Sequence, residues 1–111
     1  MDAREKYLVW LRGEVKTPPF SPEARVEAGV LLRKLQRGLR LSMPHSRPMP
    51  TIGSSAHELR IRDERTTWRI VYAIEREAIV ILDVLEKKTS TTPDLVIQTC
   101  RCRLNAYRAL R

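Results

Sequence analysis

Three arginines and a lysine pair define the chemistry within reach of this sequence. Arg60 and Arg62 alternate with Leu59 and Ile61 in the run Glu58 to Arg62. Side chains on a strand point to alternate faces, so both guanidiniums project from one surface. Arg69 stands near the start of a second alternating stretch, Trp68 to Ile74, and Lys87-Lys88 follows a third, the aliphatic run Ala78 to Leu85. A guanidinium stays protonated and grips two phosphate oxygens at once, which suits Arg60 and Arg69 to a phosphate that gains negative charge. RNA carries its own nucleophile. A protein acting on it need only align the 2′-OH with phosphorus, accept its proton, stabilise the added charge and help the 5′-oxygen leave, with no metal required. Lys87, Lys88, Glu58, His57 and His45 are the candidates for proton transfer, and the sequence does not choose among them. Arg62, His57, His45 and Tyr72 are candidates to hold the strand, Tyr72 as a ring on which a base stacks. Each has a structural alternative: Tyr72 as core, His57 packed on the apolar side of its strand, and Arg62 and Lys87-Lys88 as solvated surface.

The whole chain agrees with an anionic partner. It has 111 residues, enough for a single domain over 1–111, and 42% hydrophobic residues, enough for a modest core. Against 13 Asp plus Glu stand 21 Lys plus Arg, a formal net charge of +8. Nucleic acid and the ribosome fit that balance better than a membrane, because no run approaches the ~20 apolar residues of a span. The start, Met1 to Lys6, lacks the apolar segment of a signal peptide, so a cytoplasmic protein is expected. Cys100 and Cys102, two apart on a predicted helix, cannot bridge each other and make a poor metal clamp. No metal and no cofactor are expected.

The elements that must position these residues read as follows. Lys6 to Val15 is an opening strand with apolar residues on both sides, ended by Thr17-Pro18-Pro19-Phe20. Ser21 then caps a helix with Pro22 in its first position and Glu23 against the positive end of the dipole. Its stripe Ala24, Ala28, Leu31, Leu32, Leu35 and Leu39 lies on the sheet, Arg25, Arg33, Lys34 and Arg37 decorate the other side, and Gly38 ends it. Leu41 to Ala56, with three prolines in seven residues, is a long loop. Asp63 to Thr66 and Glu75 to Glu77 are hairpin-length connections, so the three later strands form an antiparallel meander with Ala78 to Leu85 at its centre. Thr92 caps a last helix with Leu95, Thr99, Cys102, Ala106 and Leu110 along one side and Val96, Cys100 and Tyr107 adjoining. The expectation is an α+β fold: a four-stranded, mainly antiparallel sheet in the order β-α-loop-β-β-β-α, with both helices on one face. The other face, partly open, would carry Arg60, Arg62 and Arg69.

The segments HELRIRD (from His57), WRIVYAI (from Trp68) and EKKTSTTP (from Glu86) together resemble the phage-derived Gp49-like proteins, grouped with the HigB toxins in the wider RelE/ParE group. The resemblance runs from about Tyr7 to Tyr107. It implies a RelE-like fold and the toxin component of a type II toxin–antitoxin module, an endoribonuclease that cleaves mRNA, commonly on the ribosome. It also implies a helix-turn-helix antitoxin from an adjacent gene. In the ribonuclease members, basic residues of the second strand act at the scissile phosphate, and the matching positions are Glu58 and Arg60. Arg69 matches their third-strand arginine, and Lys87 or Lys88 the basic residue after the fourth. Glu58 departs from the doubly basic pattern, and the late catalytic tyrosine or histidine of some members has no counterpart. Two other readings stay open: a ParE-like inhibitor of a protein target such as gyrase, and a non-catalytic nucleic-acid or ribosome-binding module.

Overall fold

The computed structural model describes residues 5–110, so the first four residues of the N-terminal stretch read above for a targeting signal lie outside the described residues. Pro22 sets the start of α1 (Pro22–Gln36): Ser21 Oγ accepts from the Ala24 N–H at 3.0 Å and Glu23 sits in the first turn. Arg37 caps the other end, and Gly38 follows at φ 91°, a left-handed turn that glycine takes without steric cost. Ala24, Ala28, Leu31, Leu32 and Leu35 are buried as the periodicity predicts. Leu39 lies past the turn and is exposed.

The strands are β1 (Tyr7–Trp10), β2 (Ser46–Pro48), β3 (Ala56–Arg62), β4 (Thr67–Ile74) and β5 (Ala78–Glu86), followed by α2 (Asp94–Leu110). They form one five-stranded sheet in the order β1-β5-β4-β3-β2, with β1 parallel to β5 and the other pairs antiparallel. The α+β class and the meander are as expected; the count of four strands is not. The extra strand, β2, lies inside the proline-rich stretch read as loop. It sits at the sheet edge, where Pro48 need not donate to a neighbour on both sides. The opening strand is four residues long and is the opposite edge, with Tyr7, Trp10 and Leu11 exposed rather than doubly buried. β4, not β5, is the middle strand, although β5 is covered on both faces through Leu82.

The helices lie on opposite faces, which corrects the expectation of one helical face. α1 packs on Leu59, Ile61, Trp68, Ile70, Tyr72, Ile79 and Ile81. α2 packs on Ala56, Val71, Ala73, Ala78, Val80 and Leu82. Alternation along three strands supplies both sets, so each face of the meander is apolar over part of its area and each needs a cover. The buried residues of α2 are Cys100 and Leu104, with Val96, Ile97 and Tyr107 beside them, whereas Leu95, Cys102 and Leu110 are exposed. The packed stripe thus runs through the residues expected to adjoin, Val96, Cys100 and Tyr107, and not along the side of Leu95, Cys102 and Leu110. An ion pair at 2.9 Å from Arg108 to Glu75 ties the end of α2 to the β4–β5 turn. Among the described residues, no helix is long and apolar enough to cross a membrane.

Candidate nucleic-acid interface

β3 and β4 align so that Arg60 stands opposite Arg69 and Glu58 opposite Val71. All four belong to the α2 face, but α2 covers only the part nearer the β4–β5 turn. At the other end, one carboxylate organises the surface. Glu58 is fully buried, and its Oε1 lies 3.2 Å from Arg60 Nε and 3.4 Å from Arg47 Nε. Its Oε2 lies 3.4 Å from Arg69 Nε and accepts a hydrogen bond from Thr92 Oγ1 at 2.8 Å. Arg60 makes a hydrogen bond, whereas the Nε groups of Arg47 and Arg69 are buried without one, so those two contacts are electrostatic. Three guanidiniums around one carboxylate leave the cluster cationic. Thr92 therefore acts differently from its predicted capping role: its hydroxyl serves the buried carboxylate, and α2 begins at Asp94.

Arg69 is the residue the sequence reading misjudged in its setting. It is on the expected face, but only 1% exposed. Its terminal nitrogens donate to the carbonyls of Thr89, at 2.8 Å, and Thr91, at 3.3 Å. Burial pulls its pKa below the usual guanidinium value, Glu58 opposes this, and Arg60 and Arg47 reinforce it. The Glu58–Arg69 pair is thus a pin between the middle of the sheet and the segment that joins β5 to α2. That segment begins with Lys87 and Lys88.

The accessible cations stand around the pin. Arg60 keeps 24% of its side chain exposed and Arg47 31%. Arg62, Lys87 and Lys88 line an open basin of about 550 Å³, together with Arg65 and the exposed Glu64, so cations outnumber free carboxylates there. The Lys87 N–H donates to Thr67 O at 2.7 Å, extending the sheet register so that Lys87 follows the Arg62–Thr67 row. Asp63, also at the basin, is committed elsewhere: it accepts from Ser21 N–H and Trp68 Nε1, both at 2.9 Å, and from Glu64 N–H at 2.8 Å. These donors hold its carboxyl well below the usual range.

The structure separates the remaining candidates. His57 and Tyr72 are register partners on the α1 face, with ring centroids 5.4 Å apart, on the far side of the sheet from Arg60. Tyr72 is fully buried and its hydroxyl meets Ser46 Oγ at 2.6 Å, so it offers no ring to a base. Burial, with Arg40 nearby, lowers the His57 pKa against the opposing effect of the Ser55 carbonyl. Glu58, enclosed by three arginines and a threonine, cannot reach a substrate proton. His45 is exposed, and its carbonyl accepts from the Arg60 N–H at 2.9 Å, which leaves it beside the cationic rim. Arg47 and Arg65 were missed. Only recognition of the β2 strand would have paired Arg47 with Glu58, and Arg65 lay in a turn where periodicity carries no information.

Residues 19–105 match the family described as phage-derived protein Gp49-like (DUF891). No curated protein matches the chain.

Proposed function

We infer that this chain, which belongs to the phage-derived Gp49-like family of the RelE/HigB-type toxin superfamily, is the toxin of a type II toxin–antitoxin module and acts as a metal-independent endoribonuclease on mRNA, on the ribosome. The observation that carries this reading is the arrangement of Arg60, Arg62, Lys87 and Lys88 as a cationic rim around the buried Glu58–Arg69 pair, which holds Arg60 through Glu58 and the segment after Lys88 through Thr89 and Thr91. A rim held by a pin costs little reorganisation when charge builds on a phosphate, which is the condition for electrostatic catalysis. Arg60 grips the scissile phosphate, while Arg62 and the lysines hold the flanking backbone. Arg69 acts through its neighbours: it orients Arg60 by way of Glu58 and holds the lysine segment through Thr89 and Thr91. The proton acceptor for the 2′-OH is drawn from Lys87, Lys88 and His45. A rim of phosphate forks favours this reading over inhibition of a protein target such as gyrase, which has no need of them. Its proposed keeper is a helix-turn-helix antitoxin encoded next to it.

Purified protein with ribosomes and message is expected to cut RNA in excess EDTA, leaving a 2′,3′-cyclic phosphate or its 3′-phosphate product. One 2′-deoxy substitution at the cut site should stop it. Strict magnesium dependence or cleavage at the deoxy site would sink the mechanism. Binding without any cleavage would leave a non-catalytic RNA-binding module as the better account. Co-expression with the neighbouring gene's product should restore growth, and failure to do so would remove the toxin–antitoxin assignment.

A further inference from the structure

α1 carries a glycine for which its own fold gives no reason. Gly29 lies mid-helix, and a Cβ built there would meet nothing within 4 Å. Glycine in a helix interior is less stable than alanine by ~1 kcal/mol. The position lies at the seam of two shallow hollows that share Gly29 and Arg33, of about 290 and 380 Å³. Their apolar floor includes Leu8 and Trp10 on one side and the exposed Val26 and Val30 on the other. Arg25, Arg33, Lys34 and Arg37 line them and no carboxylate does, although Arg37 is paired from outside with Glu5 at 3.5 Å.

The neighbouring backbone is open from Leu8 on; just before it, Gln36 closes the edge, its carbonyl accepting from the Lys6 N–H at 2.8 Å and its Nε2 donating to Lys6 O at 3.0 Å. Tyr7 N–H donates to Glu77 O at 3.0 Å and Leu11 N–H to Ile81 O at 2.9 Å. In a parallel ladder alternate residues face the neighbour, so the amides and carbonyls of Leu8 and Trp10 point outward from the edge. The other edge, β2, is three residues long and ends in Pro48. A free edge beside an apolar hollow suits an added strand, which gains backbone hydrogen bonds and seats alternate side chains. The cations decide its character. A second copy of this chain would set the same four positive side chains against themselves, on a protein of net charge +8.

We propose that the furrow between the outer edge of β1 and the Gly29 face of α1 is a docking surface for an extended acidic segment of a partner protein, which pairs with the Leu8–Trp10 backbone and seats an apolar side chain over Gly29. The surface is on the far edge of the sheet, three strand spacings or ~14 Å from β3, so its occupant need not cover Arg60. It stands whether or not the cationic rim cleaves RNA. The test is selection of a random dodecapeptide library on the full chain, with counter-selection on Gly29→Leu, a substitution whose Cβ meets nothing within 4 Å and whose side chain fills the hollows. Enriched peptides should alternate acidic and apolar residues and slow amide exchange at Leu8 and Trp10. They should lose about tenfold or more in affinity to Gly29→Leu and to Arg33→Glu. No enrichment, equal binding to Gly29→Leu, or protection at β2 and β3 instead of β1 would overturn the proposal. So would a dimer of the chain alone, seen by sedimentation, that dissociates in Gly29→Leu.

Discussion

Arg60 and Arg69 face each other directly across β3 and β4, two like charges at one register position, and the carboxylate of Glu58 touches both. Like charges opposite one another destabilise a sheet, so the acid between them is what makes the pair tolerable. It also gives the two arginines different work, since one is open to solvent and the other is sealed beneath the Thr89–Thr92 segment.

That difference is measurable. Arg69→Ala leaves a buried carboxylate without its most enclosed partner and frees two carbonyls, so it should cost about 3–5 kcal/mol in urea unfolding. Arg60→Ala removes a part-exposed partner while Arg47, Arg69 and Thr92 remain on Glu58, and should cost about 1 kcal/mol. Both should abolish toxicity, Arg60→Ala with the fold retained. Equal and small stability losses would show that Glu58 is not held as described.

Tyr72→Phe separates the two faces of the sheet. The lost hydroxyl leaves Ser46 Oγ buried without its partner, which should lower stability by about 1–2 kcal/mol. RNA affinity should stay unchanged at a temperature where the variant is folded. A selective loss of RNA binding would return Tyr72 to the interface.

How much of this was legible in the sequence depended on whether a local signal existed. The Ser21-Pro22-Glu23 helix start, the Gly38 stop and the alternation through Leu59, Ile61 and Ile70 all came from chemistry within a few residues, and each has its expected place. The shared face of Arg60 and Arg69 followed from alternation and short turns. Burial of Arg69 did not, because it depends on where residues 89–92 pass, twenty positions later in the chain. Glu58 read as a departure from a basic pattern, and only the three-dimensional approach of Arg47, Arg60 and Arg69 makes it the centre. The faces of the helices were undecidable from periodicity, since apolar residues lie on both sides of β4 and β5.

Asp63 gives the acid limb of stability a specific contributor. Its folded pKa is depressed from the ordinary 3.8 by hydrogen bonds, Ser21 N–H first and Trp68 Nε1 next. A depressed carboxyl contributes stability that is fully present above its unfolded pKa and is lost as pH falls through the folded value. Stability should therefore decline below about pH 4, and Asp63→Asn should flatten that decline while weakening the protein at neutral pH. Trp68 fluorescence during urea unfolding at several pH values reports both. An unchanged acid limb in Asp63→Asn would mean that other carboxyls set it.

The cationic rim makes a prediction about salt that net charge alone does not. Each phosphate contact made by a cation releases a condensed counterion, so the logarithm of the binding constant falls with the logarithm of salt by about 0.7 per contact for a single strand. Arg62→Ala, Lys87→Ala and Lys88→Ala should each weaken binding to an RNA oligonucleotide and each reduce that slope by about 0.7. Arg76, exposed on the β4–β5 turn at the other end of the sheet, is the control: it carries the same charge and lines no part of the basin. Arg76→Ala should leave the slope as it was. If all four substitutions change the slope alike, RNA is responding to the overall charge of +8, and the basin bounded by Arg62 and the two lysines is not where the strand lies.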